Sequence, residues 1–499
     1  MTALYPLRSI ATRALVALAT VAGCAVIGAG AALATTDPSV VRPLAAILVA
    51  ADLVLLCLRF PRGGVVATLV FLAALGLVRR LLIPVAAWTS FDPLLLVGPA
   101  MAALLLIQSA RQAPRRRGKR VAAMVAMLLG LTVIEAVNPE GGGLVAGVTG
   151  LLFLAVPLLW FFIGRRGDDR LLGAVLAVTL AGAVLSACYG IWQTAVGLPP
   201  WDQGWVAQGG YAALSVNGVV RAFGSFSSSA EYAQYLGIGI AVIAARALTG
   251  RLRAIIALPL LGWALLLESA RGEVVLVLVA LLLMSAVRAF RAGGATVVTL
   301  FGLGVLTLLD YLFGKRLGDV AQSTPNPLLA HQLAGLANPL NPQTSTLLVH
   351  VQLVVGGFAQ ALHHPLGLGT AATTLAGRLA QAPTSAGTEV DVPNEFVSLG
   401  LAGGTLYLLI VVVTLILAVR LAARRRDMTS LAALGILTVS FGQWLDGSYY
   451  LLAPLVWLLI GWVNTRGDID AAADDIAGGA AAAHRRAGEA LAEMRATRR

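Results

Sequence analysis

Two arginines lie at the borders of apolar segments, where a charged side chain is costly unless it has a use. Arg221 occurs in VVRAFGSFSSSAEYAQYLG, and Arg271 occurs in LLLESARGEVVLVL. A guanidinium keeps its charge at any physiological pH and donates paired hydrogen bonds that match a phosphate group. We therefore predict that both arginines bind a diphosphate, with Glu268 in support. The alternatives are pairing of Arg271 with Glu268 or Glu273, and contact of Arg221 with lipid headgroups.

A second group of candidates precedes a later apolar segment, in HHPLGLGT and VDVPNEFVSLGLAGG. Asp391, Glu395 and Glu389 cluster just before this segment, and each carboxylate could act as a general base, with Asn394 in support. The alternative is that Asp391 or Asn394 caps a helix N-terminus and that Glu395 interacts with the helix dipole. GLGT does not indicate a phosphate-binding loop, because that motif requires a preceding strand and a following helix within a βαβ unit.

The composition identifies a polytopic membrane protein. Of the 499 residues, 58% are hydrophobic and only 12% are charged, and the apolar runs are long enough to cross hydrocarbon as helices. The predicted fold is therefore all-α. The net charge of +12 does not indicate nucleic-acid binding, because the basic residues lie in short runs beside apolar segments, as in loops at a bilayer surface. The three cysteines have no spacing typical of a metal site or a disulfide framework.

The apolar runs predict 12 to 14 transmembrane helices at about 20 residues per span. The spans are expected near residues 15–34, 42–58, 64–87, 93–108, 121–137, 144–163, 171–195, 230–247, 254–268, 272–288, 295–313, 396–419, 429–446 and 448–464. Short cytoplasmic loops are enriched in Lys and Arg. Basic residues at 59–62, 111–120, 165–170, 246–253, 288–291 and 420–426 fit this rule if both termini are cytoplasmic. Arg79 with Arg80, and Lys315 with Arg316, fall on the opposite side.

The spans suggest three regions: N-terminal helices over residues 1–195, a core over 196–465, and an Ala- and Arg-rich cytoplasmic tail over 466–499. Within the core, the weakly hydrophobic stretches 196–229 and 314–395 are predicted to be outer loops. Long loops of this kind often carry function. The second loop contains TLLVHVQLVVGGFAQALHH, which suits a helix on or dipping into the membrane surface.

In this order, the motifs resemble those of the O-antigen ligase and polymerase superfamily of bacterial membrane proteins. VVRAFGSFSSSAEYAQYLG resembles its segment of Arg, Gly and Phe that leads into a span, and SARG resembles its Ser-Arg-Gly turn. HHPLGLGT and VPNEFVSLGLAGG resemble its Pro-Gly turn and its Asn followed by glycines at the start of a span. The resemblance covers residues 215–420; the earlier spans are similar only in hydropathy.

The resemblance implies a membrane glycosyltransferase that acts outside the bacterial cytoplasmic membrane. It would transfer or polymerise glycan from a polyprenyl-diphosphate carrier onto a hydroxyl of a glycan, lipid or protein acceptor. Arg221 and Arg271 match the positions that bind the diphosphate in the family. No cofactor is implied, and no metal is needed if the arginines offset the developing charge. Polysaccharide assembly proteins are the implied protein partners.

One position departs from the family pattern. Ligases of the family carry a histidine immediately before the asparagine, and this chain has Pro393, which cannot accept a proton. Either Asp391, Glu395 or the histidine pair that includes His364 would supply the base, or the chain belongs with the polymerases that lack this histidine. SFSSSA also replaces the asparagine that is frequent near Arg221 in the family.

Two other functions stay open at the level of sequence. A lipid-linked glycan flippase or transporter would require polar residues in mid-span and broken helices in matching halves, and neither pattern is evident. A noncatalytic scaffold of an envelope polysaccharide assembly complex is the third alternative.

Overall fold

A computed structural model describes residues 37–111, 118–209, 215–216, 218–290, 292–343, 345–379, 387–445 and 450–467. It is 80% helical. The described strands, β1 (Ser215–Val216) and β2 (Val219–Val220), form one short antiparallel hairpin. The prediction of an all-α fold is confirmed.

The helices follow one another with short connections. They are α1 Val41–Arg59, α2 Pro61–Leu81, α3 Ile83–Ala86, α4 Val97–Ala110, α5 Lys119–Glu135, α6 Leu144–Gly164, α7 Asp169–Val196, α8 Pro200–Gly209, α9 Ser229–Leu248, α10 Leu258–Leu267, α11 Arg271–Ala289, α12 Ala292–Ser323, α13 Pro327–Ala337, α14 Leu347–His363, α15 Leu375–Leu379, α16 Asp391–Arg425, α17 Met428–Val439 and α18 over residues 452–467. Three 3₁₀ helices lie at Pro38–Val40, Pro93–Leu96 and Leu252–Ala257.

Among the described residues, seven helices are long and apolar enough to cross a membrane. The number is eight if the bent pair Gly293–Leu308 and Tyr311–Ser323 forms one span. Three shorter apolar helices lie at Leu252–Leu267, Leu347–His363 and Met428–Val439. The chain is therefore a multi-pass helical membrane protein, and the count of 12 to 14 spans stays a prediction. The predicted span at 15–34 and nearly all of the tail lie outside the described residues.

The two predicted outer loops contain more helix than expected. The first, 196–229, contains α8 and the β-hairpin. The second, 314–395, begins inside α12, which continues to Ser323, and also contains α13, α14 and α15. Asn326 starts α13, because its side-chain oxygen accepts hydrogen bonds from the amides of Leu328 and Leu329. The predicted helix within the second loop is confirmed as α14, and its position relative to the membrane stays a prediction.

The contacts of Arg79 and Arg80, at the end of α2, explain why these arginines did not follow the predicted enrichment of basic residues on the cytoplasmic side. Arg79 Nε lies 3.1 Å from Asp92 Oδ2, and Arg80 Nη1 lies 3.2 Å from Asp202 Oδ1. All four residues are at most 3% exposed. The arginines are paired inside the protein, so they carry no information about the side of the membrane. A count of Lys and Arg in loops predicts topology only for charges that lie in water, so it does not apply to arginines that are buried in ion pairs.

The basic loops predicted to be cytoplasmic meet at one end of the helix bundle. Arg62 Nη2 lies 2.5 Å from Asp168 Oδ2, and Arg425 Nη2 lies 2.7 Å from Asp169 Oδ2. We call this the basic end; it comprises residues 59–62, 118–120, 165–170, 246–253, 288–290 and 420–428. These contacts agree with the predicted alternation of loops. Which side of the membrane the basic end faces stays a prediction.

The central helix of the bundle is α9. Of its 20 residues, 15 are buried, and it contacts α7, α10, α11 and α17. Small residues allow these close approaches: a Cβ on Gly237 would overlap Glu273 of α11, and a Cβ on Gly239 would lie 2.7 Å from Ala183 Cβ of α7. The first turn of α9 is therefore fixed from several sides, and it lies directly after the segment that contains Arg221.

Candidate functional site

Arg221 is held by a short segment between β2 and α9. Phe223 and Phe226, which follow it, are each 1% exposed and anchor the segment in the core. Gly224 has φ +50°, a conformation that L side chains rarely adopt, and a Cβ there would overlap Ser186. In the sequence RAFGSF, the backbone next to Arg221 is therefore fixed by two buried phenylalanine rings and by Gly224.

The end of α2 and the end of α7 clamp this segment through hydrogen bonds. Arg80 Nη2 donates to the carbonyl of Gly224 at 2.5 Å, and its guanidinium lies 4.5 Å from the centre of the Phe223 ring. Gln193 Oε1 accepts from the amides of Phe223 and Gly224 at 3.2 and 2.9 Å. Asp202 accepts from Gln193 Nε2 at 2.7 Å and pairs with Arg80. Sequence reasoning missed this clamp, because its members come from four separate segments.

Arg221 contacts Glu268, the residue that the sequence offered as a possible partner of Arg271. Arg221 Nε donates to the Glu268 carbonyl at 2.6 Å and lies 3.1 Å from Glu268 Oε1. Glu268 is 0% exposed. Burial raises the pKa of Glu268 to about 8, against the lowering effect of Arg221. Burial therefore opposes ionisation of Glu268, whereas its contact with Arg221 favours it.

Arg271 begins α11 after a tight turn. Ser269 in this turn has φ +58°, which is uncommon for a residue with a side chain. Arg271 Nη2 lies 3.1 Å from His331 Nε2 of α13, and a Cβ on Gly335 would overlap the Arg271 guanidinium. His331 and Gly335 are four residues apart on one face of α13, so this helix forms a flat support for Arg271.

His331 is a member of the site that sequence reasoning missed. Burial lowers the pKa of His331, and the charges of Arg271 and Arg221 lower it further. The imidazole is therefore neutral at pH 7, and Nε2 accepts a hydrogen bond from Arg271. Arg221 contacts Glu268, and Arg271 follows Glu268 by three residues across the tight turn, so both arginines belong to one region of the structure. The available signal was AHQLAGL, in which His and Gln interrupt an apolar helix.

We call Arg221, Glu268, Arg271 and His331 the arginine cluster. Two guanidinium groups thus lie beside one buried carboxyl group and one imidazole, and guanidinium donors suit an anion with several acceptor oxygens. Polar atoms with no hydrogen-bond partner among the described residues lie in or beside it: Glu268 Oε2, Ser269 Oγ, Tyr232 Oη, and Gln332 Oε1 and Nε2. Buried polar atoms without partners are rare in folded proteins. The cluster therefore has both the charge and the hydrogen-bonding capacity for a polar anionic ligand.

Asp391 belongs to a different hydrogen-bonded group. Its Oδ2 accepts from Tyr407 Oη at 2.7 Å, from the Leu445 amide at 2.8 Å and from the Trp444 amide. Asp391 is 2% exposed, and these donors fix the turn after α17 against the start of α16. This is the arrangement of a structural carboxylate. The residue before α16 is Val390, with no side-chain cap, so the alternative that Asp391 or Asn394 caps this helix is wrong.

Asn394 and Glu395 lie in the first turn of α16. Asn394 Oδ1 accepts from the Thr388 amide and from Thr388 Oγ1, both at 2.8 Å. Asn394 therefore closes the loop that precedes the helix. Glu395 is 0% exposed, so an acceptor hydroxyl cannot reach it from solvent in this conformation. The helix begins at Asp391, five residues before the predicted start of the span near 396. The hydrogen bonds of Asp391 and Asn394 stabilise this additional first turn.

His364 is the most accessible of the predicted bases. Its Nδ1 lies 3.0 Å from Glu140 Oε2, and the two side chains are 40% and 56% exposed. A carboxylate on one ring nitrogen orients an imidazole and leaves the other nitrogen for a substrate. The structure thus joins Arg221 to Glu268 directly and places Arg271 three residues later in the same turn, and it builds Asp391, Asn394 and His364 into other hydrogen-bonded groups.

The PLGLG segment after His364 pairs with a kink in α16. The amides of Leu368 and Gly369 donate to the carbonyls of Val397 and Ser398 at 2.9 and 3.1 Å, and the Leu401 amide donates to the Pro365 carbonyl at 2.9 Å. Gly400, at the kink, has φ +67°. The amides that a phosphate loop would use are therefore occupied by backbone carbonyls, which agrees with the interpretation of GLGT from sequence.

Comparison of the sequence with protein-family models and with curated proteins found no match. The resemblance to the O-antigen ligase and polymerase superfamily therefore stays a prediction from the motifs. The chemistry of the site is interpreted from its geometry and charge.

Proposed function

We propose that this chain is a glycosyltransferase of the bacterial cytoplasmic membrane, with its site on the outer side. It transfers or polymerises glycan from a polyprenyl-diphosphate carrier onto an acceptor hydroxyl. The observation that carries the proposal is the arginine cluster, in which Arg221 contacts Glu268 and Arg271 follows in the same turn and contacts His331. A diphosphate supplies the charge and the many acceptor oxygens that such a pair of guanidinium groups binds best.

The reaction is a displacement at the anomeric carbon of the carrier-linked sugar. The acceptor oxygen forms a bond to this carbon, the bond from the carbon to the phosphate oxygen breaks, and the electron pair leaves with the diphosphate. Arg221 and Arg271 stabilise the negative charge that develops there, so that the leaving group need not be protonated. The proton of the acceptor hydroxyl goes to a base on the far side of the sugar.

His364 is the better-supported base among the candidates. It is accessible, and Glu140 holds its Nδ1, so that Nε2 can accept a proton. His331 contacts the arginine that binds the leaving group. An in-line attack places base and leaving group on opposite sides of the sugar, so His331 acts as a positioning residue for Arg271. Asp391 is already occupied by three donors.

The test is product formation by variants in cells that lack the wild-type gene. Arg221→Ala and Arg271→Ala should each abolish the polymer or conjugate while the protein is still made, and Arg→Lys at either position should rescue poorly because the planar fork is lost. Arg316→Ala is the control, since Arg316 is exposed and contacts only the Phe313 ring among the described residues. Normal product from both alanine variants would exclude the diphosphate assignment.

The intermediate that accumulates distinguishes the possible activities. A single carrier-linked repeat unit indicates a polymerase, and long carrier-linked chains indicate a ligase. Transfer by the purified protein in detergent separates either enzyme from a flippase or a scaffold, because neither of those forms a new glycosidic bond.

A further inference from the structure

A pocket of about 510 Å³ opens at the basic end, where α7, α9, α11, α16 and α17 approach one another. Its charged lining residues are Arg251, Arg288, Arg425, Arg426, Asp169 and Asp427. The pocket lies at the opposite end of the bundle from the arginine cluster. Its role is therefore independent of the proposed glycosyl transfer.

The two aspartates of the pocket are already paired. Arg425 Nη2 lies 2.7 Å from both Asp169 Oδ2 and Asp427 Oδ2, and Arg466 Nη2 lies 3.1 Å from Asp169 Oδ1. Asp427 also caps α17, where its Oδ1 accepts from the Ser430 amide at 2.8 Å. Arg425 and Arg466 thus balance both carboxylates, and the charges of the other lining arginines are left over.

Those other arginines keep most of their donors available. Arg288 donates from Nε to the Leu248 carbonyl at 3.2 Å. Arg426 donates from Nε to the Ala423 carbonyl at 3.3 Å and from Nη2 to the Phe290 carbonyl at 3.2 Å. The guanidinium of Arg251 has no hydrogen bond or ion pair with any residue that the structure describes. Three guanidinium groups on one pocket wall, with free N–H groups, match a ligand that offers several acceptor oxygens around one negative centre. A phosphate group is such a ligand.

Exposed apolar side chains follow Arg251 and Arg288 closely in the chain. Leu252 is 65% exposed, Ile256 is 81% exposed and Phe290 is 47% exposed. An anion site next to exposed apolar side chains suits an amphiphile, whose phosphate enters the pocket and whose chains contact these side chains. A bilayer surface offers such molecules at high local concentration.

We propose that the pocket at the basic end binds a phosphate group, and that an anionic phospholipid headgroup supplies it. The test uses the full-length protein in detergent, with affinity for phosphatidylglycerol, phosphatidylcholine and inorganic phosphate measured separately by native mass spectrometry or by the shift in unfolding temperature. The variant is Arg251→Gln combined with Arg288→Gln. Its matched control is Arg253→Gln combined with Arg316→Gln, which removes two exposed arginines that do not line the pocket.

The wild-type protein and the control should bind phosphatidylglycerol more tightly than phosphatidylcholine, and the pocket variant should bind phosphatidylglycerol about tenfold more weakly. A different result is that the wild type binds inorganic phosphate but shows no preference between the two lipids, while the pocket variant loses phosphate binding. That result would support the phosphate site and exclude a lipid as the source of the phosphate. Equal binding of phosphatidylglycerol and of phosphate by the pocket variant and the control would overturn the proposal.

Discussion

Arg80 Nη2 donates a hydrogen bond to the Gly224 carbonyl across 144 residues of sequence. Arg80 is fully buried and pairs with Asp202. The backbone that positions Arg221 is therefore fixed by a fully buried ion pair. This relationship connects the stability of the protein with the geometry of the arginine cluster, and the first prediction tests it.

Arg80→Gln should lower the free energy of unfolding by about 3 kcal/mol, because removal of one partner leaves Asp202 buried without its counter-charge. The same variant should weaken diphosphate binding, because the segment after Arg221 loses its clamp. Thermal unfolding in detergent and binding of a polyprenyl diphosphate measure the two effects. Arg316→Gln, an exposed change, is the control; equal stability of the two variants would contradict the prediction.

Gly335→Ala should displace the Arg271 guanidinium, which occupies the space that a Cβ would fill. We expect kcat for transfer to fall by roughly 10- to 100-fold, since small displacements of charged groups have effects of that size. Gly318→Ala is the matched control, because a Cβ at Gly318 meets no atom within 4 Å. Alanine there should be neutral or slightly stabilising. Equal activity of both variants would show that Arg271 is not held by α13.

Glu268 should make stability depend on pH. The folded protein binds the Glu268 proton more tightly than the unfolded chain, because burial raises the pKa of Glu268 from 4.5 to about 8. Its contribution is therefore complete below 4.5 and is lost as the pH rises to about 8, by up to ~1.4 kcal/mol per pH unit. Glu268→Gln, which imitates the protonated group, should be more stable than wild type at pH 8 and should lose this dependence.

The same substitution bears on ligand binding. Ionised Glu268 would neutralise part of the Arg221 charge, so wild-type affinity for a diphosphate should fall as the pH rises through about 8, and the affinity of Glu268→Gln should change less. Isothermal titration at pH 6.5 and pH 8.5 measures the difference. Identical pH profiles for the two proteins would mean that Glu268 does not titrate in this range.

The two histidines should have separable roles. His331→Gln should raise KM for the carrier, because the change alters the support of Arg271 by α13. It should leave the pH profile of kcat unchanged, because Gln still accepts a hydrogen bond from Arg271. His364→Gln should lower kcat by about 100-fold with little change in KM, as expected for loss of a general base. A fall in kcat with unchanged KM in His331→Gln instead would exchange the two assignments.

Asp391→Ala should destabilise the protein by about 3 kcal/mol, because three donors lose their acceptor. Tyr407→Phe, which removes one of these donors, should have an effect of about 1 kcal/mol. Unfolding in denaturant measures both. An Asp391→Ala protein with full stability and no activity would identify Asp391 as a catalytic group after all.

Local sequence was sufficient to predict the parts of the site that lie beside apolar segments. Arg221 and Arg271 were identifiable because a charge at the border of a span is conspicuous, and the structure places them together. His331 was not, because residues 314–395 have too little hydrophobicity to indicate spans and were interpreted as loop. Helix α13 forms there through a cap at Asn326 and good helix formers rather than through hydrophobic length.

Other features depended on contacts between distant segments. Whether Asp391 is a base or a structural acceptor is decided by Trp444 and Leu445, more than 50 residues away. Arg79 and Arg80 looked inconsistent with the topology until Asp92 and Asp202 were found beside them. Periodicity and charge counts describe each segment alone, so they cannot show which charges are neutralised in the folded chain.

The pairing of the PLGLG segment with the kink at Gly400 limits how the segment around His364 can move. Backbone hydrogen bonds join residues 365–369 to residues 397–401 on both sides of the bend, so neither strip can shift without the other. A carrier that enters near His364 would therefore displace the first turns of α16 as one rigid body with the histidine. Under the proposed function, space for a long glycan would then have to open outside this unit.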